Sequence, residues 1–218
     1  MLRRTLGVGF LILLVSLTGL AADGGKVESI GAFTDQSAPE ALRKALAPNG
    51  YKITLGSDLY CEVWFRATLP AGKTDATGAV YTGLPEGALI GVIRFPKATS
   101  DFRGQSIKAG AYTMRYAVHP TDGNHMGISP IRDFLLLVPL AADANPEAML
   151  KFEELVKLSA RASGTNHPAA MSLASPDASA AAPTVTTDEH NHTVFAAKIK
   201  TASGETPLAL IIKGVAEQ

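Results

Sequence analysis

Apolar and polar positions alternate along much of this chain. Over 112–118, Tyr112, Met114, Tyr116 and Val118 share one parity, and Thr113, Arg115 and Ala117 share the other. That period of two predicts a half-buried antiparallel strand. Two runs are apolar at both parities, 88–95 (ALIGVIRF) and 133–138 (DFLLLV), which predicts strands covered on both faces. Runs 51–55 and 59–67 flank Gly56-Ser57-Asp58 and read as a hairpin. Shorter strands are expected at 27–33, 79–82 and 171–173. A C-terminal pair is expected at 192–201 and 206–213, joined by Ala202-Ser203-Gly204-Glu205.

Helical spacing occurs twice. Ser37-Ala38-Pro39-Glu40 reads as a capping box, with Ser37 as N-cap, opening a helix that carries Leu42 and Leu46. Asn145-Pro146-Glu147 reads as the start of a second helix, with asparagine as N-cap and proline at the first helical position. Its apolar stripe includes Met149, Phe152, Leu155 and Val156, and Gly164 closes it. Many short strands with few helices predict a mainly β fold, an antiparallel β-sandwich or jelly-roll-like body with two peripheral α-helices.

The amino terminus breaks this pattern. Arg3-Arg4 precede an uncharged run from Leu6 to Leu17, followed by Gly19, Ala21 and Ala22. A cationic start, an apolar core shorter than the ~20 residues of a span, and small residues describe a cleavable signal peptide over 1–22. Residues 23–218 are then expected to form a single β-rich domain, in which 174–191 is a flexible connector to the C-terminal hairpin. The location implied is periplasmic or secreted, with no membrane span after cleavage.

Charge narrows the partners. The 20 Lys+Arg balance the 20 Asp+Glu, so no general attraction to nucleic acid or anionic lipid is expected. The one cysteine, Cys61, excludes an intramolecular disulfide. It shares strand parity with Leu59, Val63 and Phe65 and reads as a small buried hydrophobe.

The densest polar stretch lies between two of the strands: His119-Pro120-Thr121-Asp122-Gly123-Asn124-His125, followed by Arg132-Asp133. Asp122-Gly123 is a turn signal that would fold His119 toward His125. His119, Asp122, His125, Arg132 and Asp133 are therefore candidate binding residues around one concavity, with Asp133 anchoring the Arg132 guanidinium. His119 and His125 are the candidate ligands for a divalent transition metal. A bland alternative exists for each, an Asx-turn for Asp122 and an ordinary ion pair for Arg132 and Asp133. His190 and His192 stand at i,i+2, on one face of an extended segment. Ser129 or Ser163 with His125 or His167 and Asp122 supplies the residue types of a hydrolytic triad, but no GxSxG elbow is present. Tyr112, Tyr116 and Trp64 could stack on a sugar, although residues at strand spacing more often pack in a core.

Residues 104–118 (GQSIKAGAYTMRYAV) resemble the G-x-x-I/L-x-A-G-x-Y-x-L hairpin of several uncharacterised secreted bacterial β-sandwich families. The wider stretch 101–138, with DFRG, HPTDGNHMG and RDFLLL, is similar to a family of hypothetical exported proteins of soil bacteria. The resemblance implies a β-sandwich outside the cytoplasm and no particular activity.

Two functions fit these residues. The first is a non-enzymatic binding or interaction protein of the cell envelope, acting on an envelope or extracellular ligand, with no cofactor specified. The alternative is a metal-binding periplasmic protein or metal-dependent enzyme that uses the 119–133 loop.

Overall fold

The computed structural model describes residues 25–121 and 129–216. The expected signal peptide and the candidate residues Asp122 and His125 lie outside them. In chain order the elements are β1 (Lys26–Ile30), α1 (Glu40–Ala45), β2 (Gly50–Leu55), β3 (Asp58–Phe65), β4 (Leu89–Phe95), β5 (Thr99–Ser100) and β6 (Ser106–Ile107). There follow β7 (Gly110–Val118), β8 (Asp133–Pro139), α2 (Phe152–Ser163), β9 (Ala170–Ala174), β10 (Thr184–Thr187), β11 (Thr193–Thr201) and β12 (Gly204–Lys213).

Ten of the strands form one antiparallel sheet in the order β1-β2-β3-β4-β7-β8-β9-β12-β11-β10, and β5 pairs with β6 apart from it. The sheet curls until its two edges approach one another, with a β-carbon on Gly25 falling 2.9 Å from Val185 Cγ1. The result is a barrel-like sandwich that is almost closed. The fold is mainly β with two helices outside the sheet, as the alternation predicts.

Parity assigns the core. Cys61, Val63 and Phe65 of β3 point inward with Tyr112, Met114 and Tyr116 of β7 and Leu135 and Leu137 of β8. Phe195, Ile199 and Leu210 reach them from the C-terminal strands, where Phe65 and Phe195 stack at 6.1 Å. Cys61 is fully buried, and burial pushes its thiol well above the usual range. Tyr112 and Tyr116 belong to this interior, and Trp64 is buried on the outer side, so the three form no exposed stacking platform.

The outer face of the sheet is also apolar in patches, and each patch has a cover. The α1 residue Leu42 joins Phe33, Trp64, Leu89 and Val92 outside β3 and β4. On β8, Phe134, Leu136 and Val138 meet Leu155 of α2. Outside β11 and β12, Val194, Ala209 and Ile211 lie under Phe102, from the loop between β5 and β6.

Several local expectations are corrected. β7 is buried on both faces rather than half-buried, because residues 140–148 cover its outer side. Helix α2 begins at Phe152, not at Asn145. Asn145 Oδ1 instead accepts the Glu147 N–H at 3.0 Å, so the capping residue makes an Asx-turn. Gly164 ends α2 in the left-handed region (φ 70°), as its position predicts. Ser37 does not cap α1; its backbone and hydroxyl both donate to Asp35 Oδ1. Residues 79–82 form no strand, because the N–H groups of Val80 and Tyr81 go to the Asp133 carboxylate. The segment 174–191 is not all connector, since β10 pairs with β11 from Thr184↔Ala196 to Thr187↔Thr193.

Candidate functional site

Between α2 and the β5–β6 loop the outer face of β8 and β9 is left partly uncovered, as a groove of about 220 Å³. The sequence explains its floor. Outward parity on β8 and β9 presents Phe134, Ala170 and Ser172, and small residues on β9 leave space beside the phenylalanine. Phe152 and Val156 of α2 make one wall, and Phe102 and Arg103 make the opposite one. Asn166, His167 and Pro168, in the turn after α2, close one end. His119 is 8% exposed, and its ring lies flat on Phe134 with centroids 3.9 Å apart and planes 7° apart.

The loop that carries Arg103 is built on Asp101. This carboxylate is buried and accepts from Arg103 N and Gln105 N at 3.0 and 2.9 Å. It also takes Arg103 Nη2 at 3.1 Å and Gln105 Nε2 at 3.3 Å. Arg103 Nη2 and Gln105 Nε2 then reach across to the Pro168 carbonyl, at 2.7 and 2.8 Å, and tie the two sides of the groove together.

The single concavity expected around 119–133 is not what the described members form. Adjacent strand residues face opposite ways, and that rule separates them. His119 shares the outer face with Phe134 and lines the groove. Asp133 turns inward, where it is fully buried and accepts from Val80 N, Tyr81 N and the Tyr116 hydroxyl, at 2.8, 2.8 and 2.6 Å. Arg132 is not anchored by Asp133; its guanidinium donates to the carbonyls of Thr77 and His119. Burial pushes the Tyr116 phenol well above its usual range, and the carboxylate at its hydroxyl adds to the effect.

The other histidines divide in the same way. His192 is 4% exposed, with Nδ1 donating to Asp188 Oδ2 at 2.9 Å and its ring edge-on to Phe102. Burial alone would raise Asp188, but the His192 backbone and ring and the His190 N–H outweigh it and hold the carboxyl below its usual value. His190 stands half-exposed, its ring centroid 5.7 Å from that of His192. Among the described residues no group of three or more His, Cys, Asp or Glu is placed to hold a metal ion. Ser163 is not paired with an imidazole, since its hydroxyl donates to the His167 carbonyl at 2.6 Å.

Of the residues the sequence singles out for a site, the structure brings His119 and His167 to the groove. Phe102, Arg103 and the outward residues of β8 and β9 escape sequence reasoning because they come from four distant segments. Outward-facing Phe134 and Ser172 are the only local signal, and they have meaning only once strand parity is fixed.

No protein-family model matches the chain, and neither a curated protein nor a solved structure does. No helix among the described residues is long and apolar enough to cross a membrane. Fold and groove together define a nearly closed antiparallel β protein with a small, mostly apolar recess on its outer face.

Proposed function

We propose that this is an exported, non-enzymatic binding protein of the cell envelope that takes a small apolar ligand in the groove between α2 and the β5–β6 loop. The observation that carries the reading is the groove itself. The other outer apolar patches of the sheet are roofed by protein, whereas here phenylalanine and valine side chains line an open recess. Drug-sized sites usually run to ~300–1,000 Å³, so a recess of about 220 Å³ suits a fragment-sized molecule. Apolar walls with a few convergent polar groups are the usual composition of such sites.

Phenylacetamide is a suitable neutral aromatic probe. Ligand-detected NMR on the purified protein should show it binding, and the signal should vanish in Ala170→Phe, whose side chain would fill the floor. Equal binding by a folded Ala170→Phe protein would place the ligand elsewhere and overturn the reading.

Export is supported by the pattern over residues 1–22 and by the resemblance of 101–138 to exported bacterial families. Protein made in a secretion-competent host is expected to start at Ala22 or Asp23 by intact mass. A product retaining Met1 and fixed in the membrane would refute export.

A further inference from the structure

We infer that the groove selects a carboxylate, with the apolar body of the ligand against Phe152 and Val156 and its anionic end at Arg103; this rests on the groove being a binding site. Arg103 stands at the wall with its side chain 28% exposed. Its Nη2 is committed to Asp101 Oδ2 and the Pro168 carbonyl. Nε and both hydrogens of Nη1 donate to no acceptor among the described residues. A guanidinium carries five donors in a rigid fork, so three remain for a ligand.

The fork is also held in place beforehand. Asp101 is fully desolvated and accepts four hydrogen bonds, two of them from Arg103, which fixes both the backbone and the head of that side chain. A pre-oriented donor loses less freedom when a ligand arrives. Beside it on the rim stand the Asn166 carboxamide and the exposed His167 imidazole, neither with a side-chain hydrogen bond among the described residues. No aspartate or glutamate is among the described residues that line the groove. Among the described residues, an apolar floor, a fork with three free N–H donors at one wall and no carboxylate on the lining fit an apolar molecule with an acidic end. They disfavour an amine.

Three probes of nearly one shape separate the possibilities: phenylacetate, phenylacetamide and phenethylamine. With wild-type protein in low salt, phenylacetate should bind about tenfold more tightly than the amide, as a hydrogen bond to a charged partner implies, and phenethylamine most weakly. The preference should shrink in ~0.5 M salt, where screening is short-ranged. Arg103→Gln should lose the preference and bind the acid no more tightly than the amide. Arg103→Lys should keep part of the preference through its charge. Should Arg103→Gln fail to fold, the wild-type comparison and its salt dependence decide alone. Amide and acid binding equally to wild type would overturn the carboxylate assignment and leave the groove standing. Failure of all three probes would overturn both.

Discussion

Replacing Arg115 by leucine should cost the fold about 3–5 kcal/mol, the usual penalty for removing one member of a buried ion pair. Arg115 leaves the outer face of β7 and is fully buried, with all five N–H donors used. Nε and Nη2 grip the Asp143 carboxylate at 2.8 and 2.6 Å, and the other donors go to the carbonyls of Gly87, Asn145 and Ala148. The one side chain thus holds two segments against the sheet. Gly87 can lie there because it is glycine: its φ is 81°, and a β-carbon would fall 2.2 Å from the Leu150 carbonyl oxygen. Leucine would leave Asp143 buried with only the Thr113 hydroxyl, 2.6 Å away, to stabilise its charge.

Urea denaturation measures this loss as a fall in midpoint at unchanged slope. Lysine has three donors and no fork, so Arg115→Lys should recover little. Arg115→Leu combined with Asp143→Leu should be less damaging than the two single losses added together, because the stranded charge is gone. The exposed Lys97–Asp58 pair gives the comparison: its side chains are 75% and 70% exposed, and Lys97→Ala should cost ~0.5 kcal/mol or less. An Arg115→Leu protein as stable as the wild type would show that residues 140–148 are held by something else.

Arg115 also shows where sequence reasoning stops. Its parity on β7 is legible, because alternation is local and the strand extends over the expected residues. What covers that parity is not legible, since the cover comes from residues 140–148, and nothing near Arg115 announces them. The same gap explains the second helix. Asn145-Pro146-Glu147 carries the letters of a helix start, yet an asparagine side chain that accepts from two residues on serves a turn equally well. The pull of Arg115 on the Asn145 carbonyl and of Arg66 on the Pro146 carbonyl, at 2.7 and 2.6 Å, selects the turn. Helix begins only at Phe152, where the apolar stripe can rest on β8.

Sheet order behaves likewise. The hairpins β2–β3 and β11–β12 are readable from their glycine turns, but the pairing of β9 with β12 joins residues far apart in sequence. Four-residue β10 carries too weak a pattern to stand out from its polar surroundings. For the site, His119 is found from its loop. The groove it enters is assembled only when β8, β9, α2 and the β5–β6 loop meet.

Asp133 is the candidate site residue whose loss should unfold rather than disarm the protein. Asp133→Ala should lower stability by about 3–5 kcal/mol, since it strands two buried donors, the Tyr81 N–H and the Tyr116 hydroxyl, at about 1–3 kcal/mol each, and loses the Val80 contact as well. The folded fraction should bind phenylacetamide as the wild type does, because this carboxylate faces the barrel interior and the groove lies on the opposite face. Asp133→Asn keeps one acceptor oxygen and should cost less. Tyr116→Phe removes the partner of the shortest of the three bonds, so its effect and that of Asp133→Ala should fall short of additivity. The phenol supplies an independent check by pH. Its folded pKa is raised, so its contribution is complete below the unfolded value near ~10 and is lost as pH climbs toward the folded one. Wild-type stability should therefore decline in strong alkali, and Tyr116→Phe should decline less. A stable Asp133→Ala protein with altered probe binding would instead return Asp133 to the binding site.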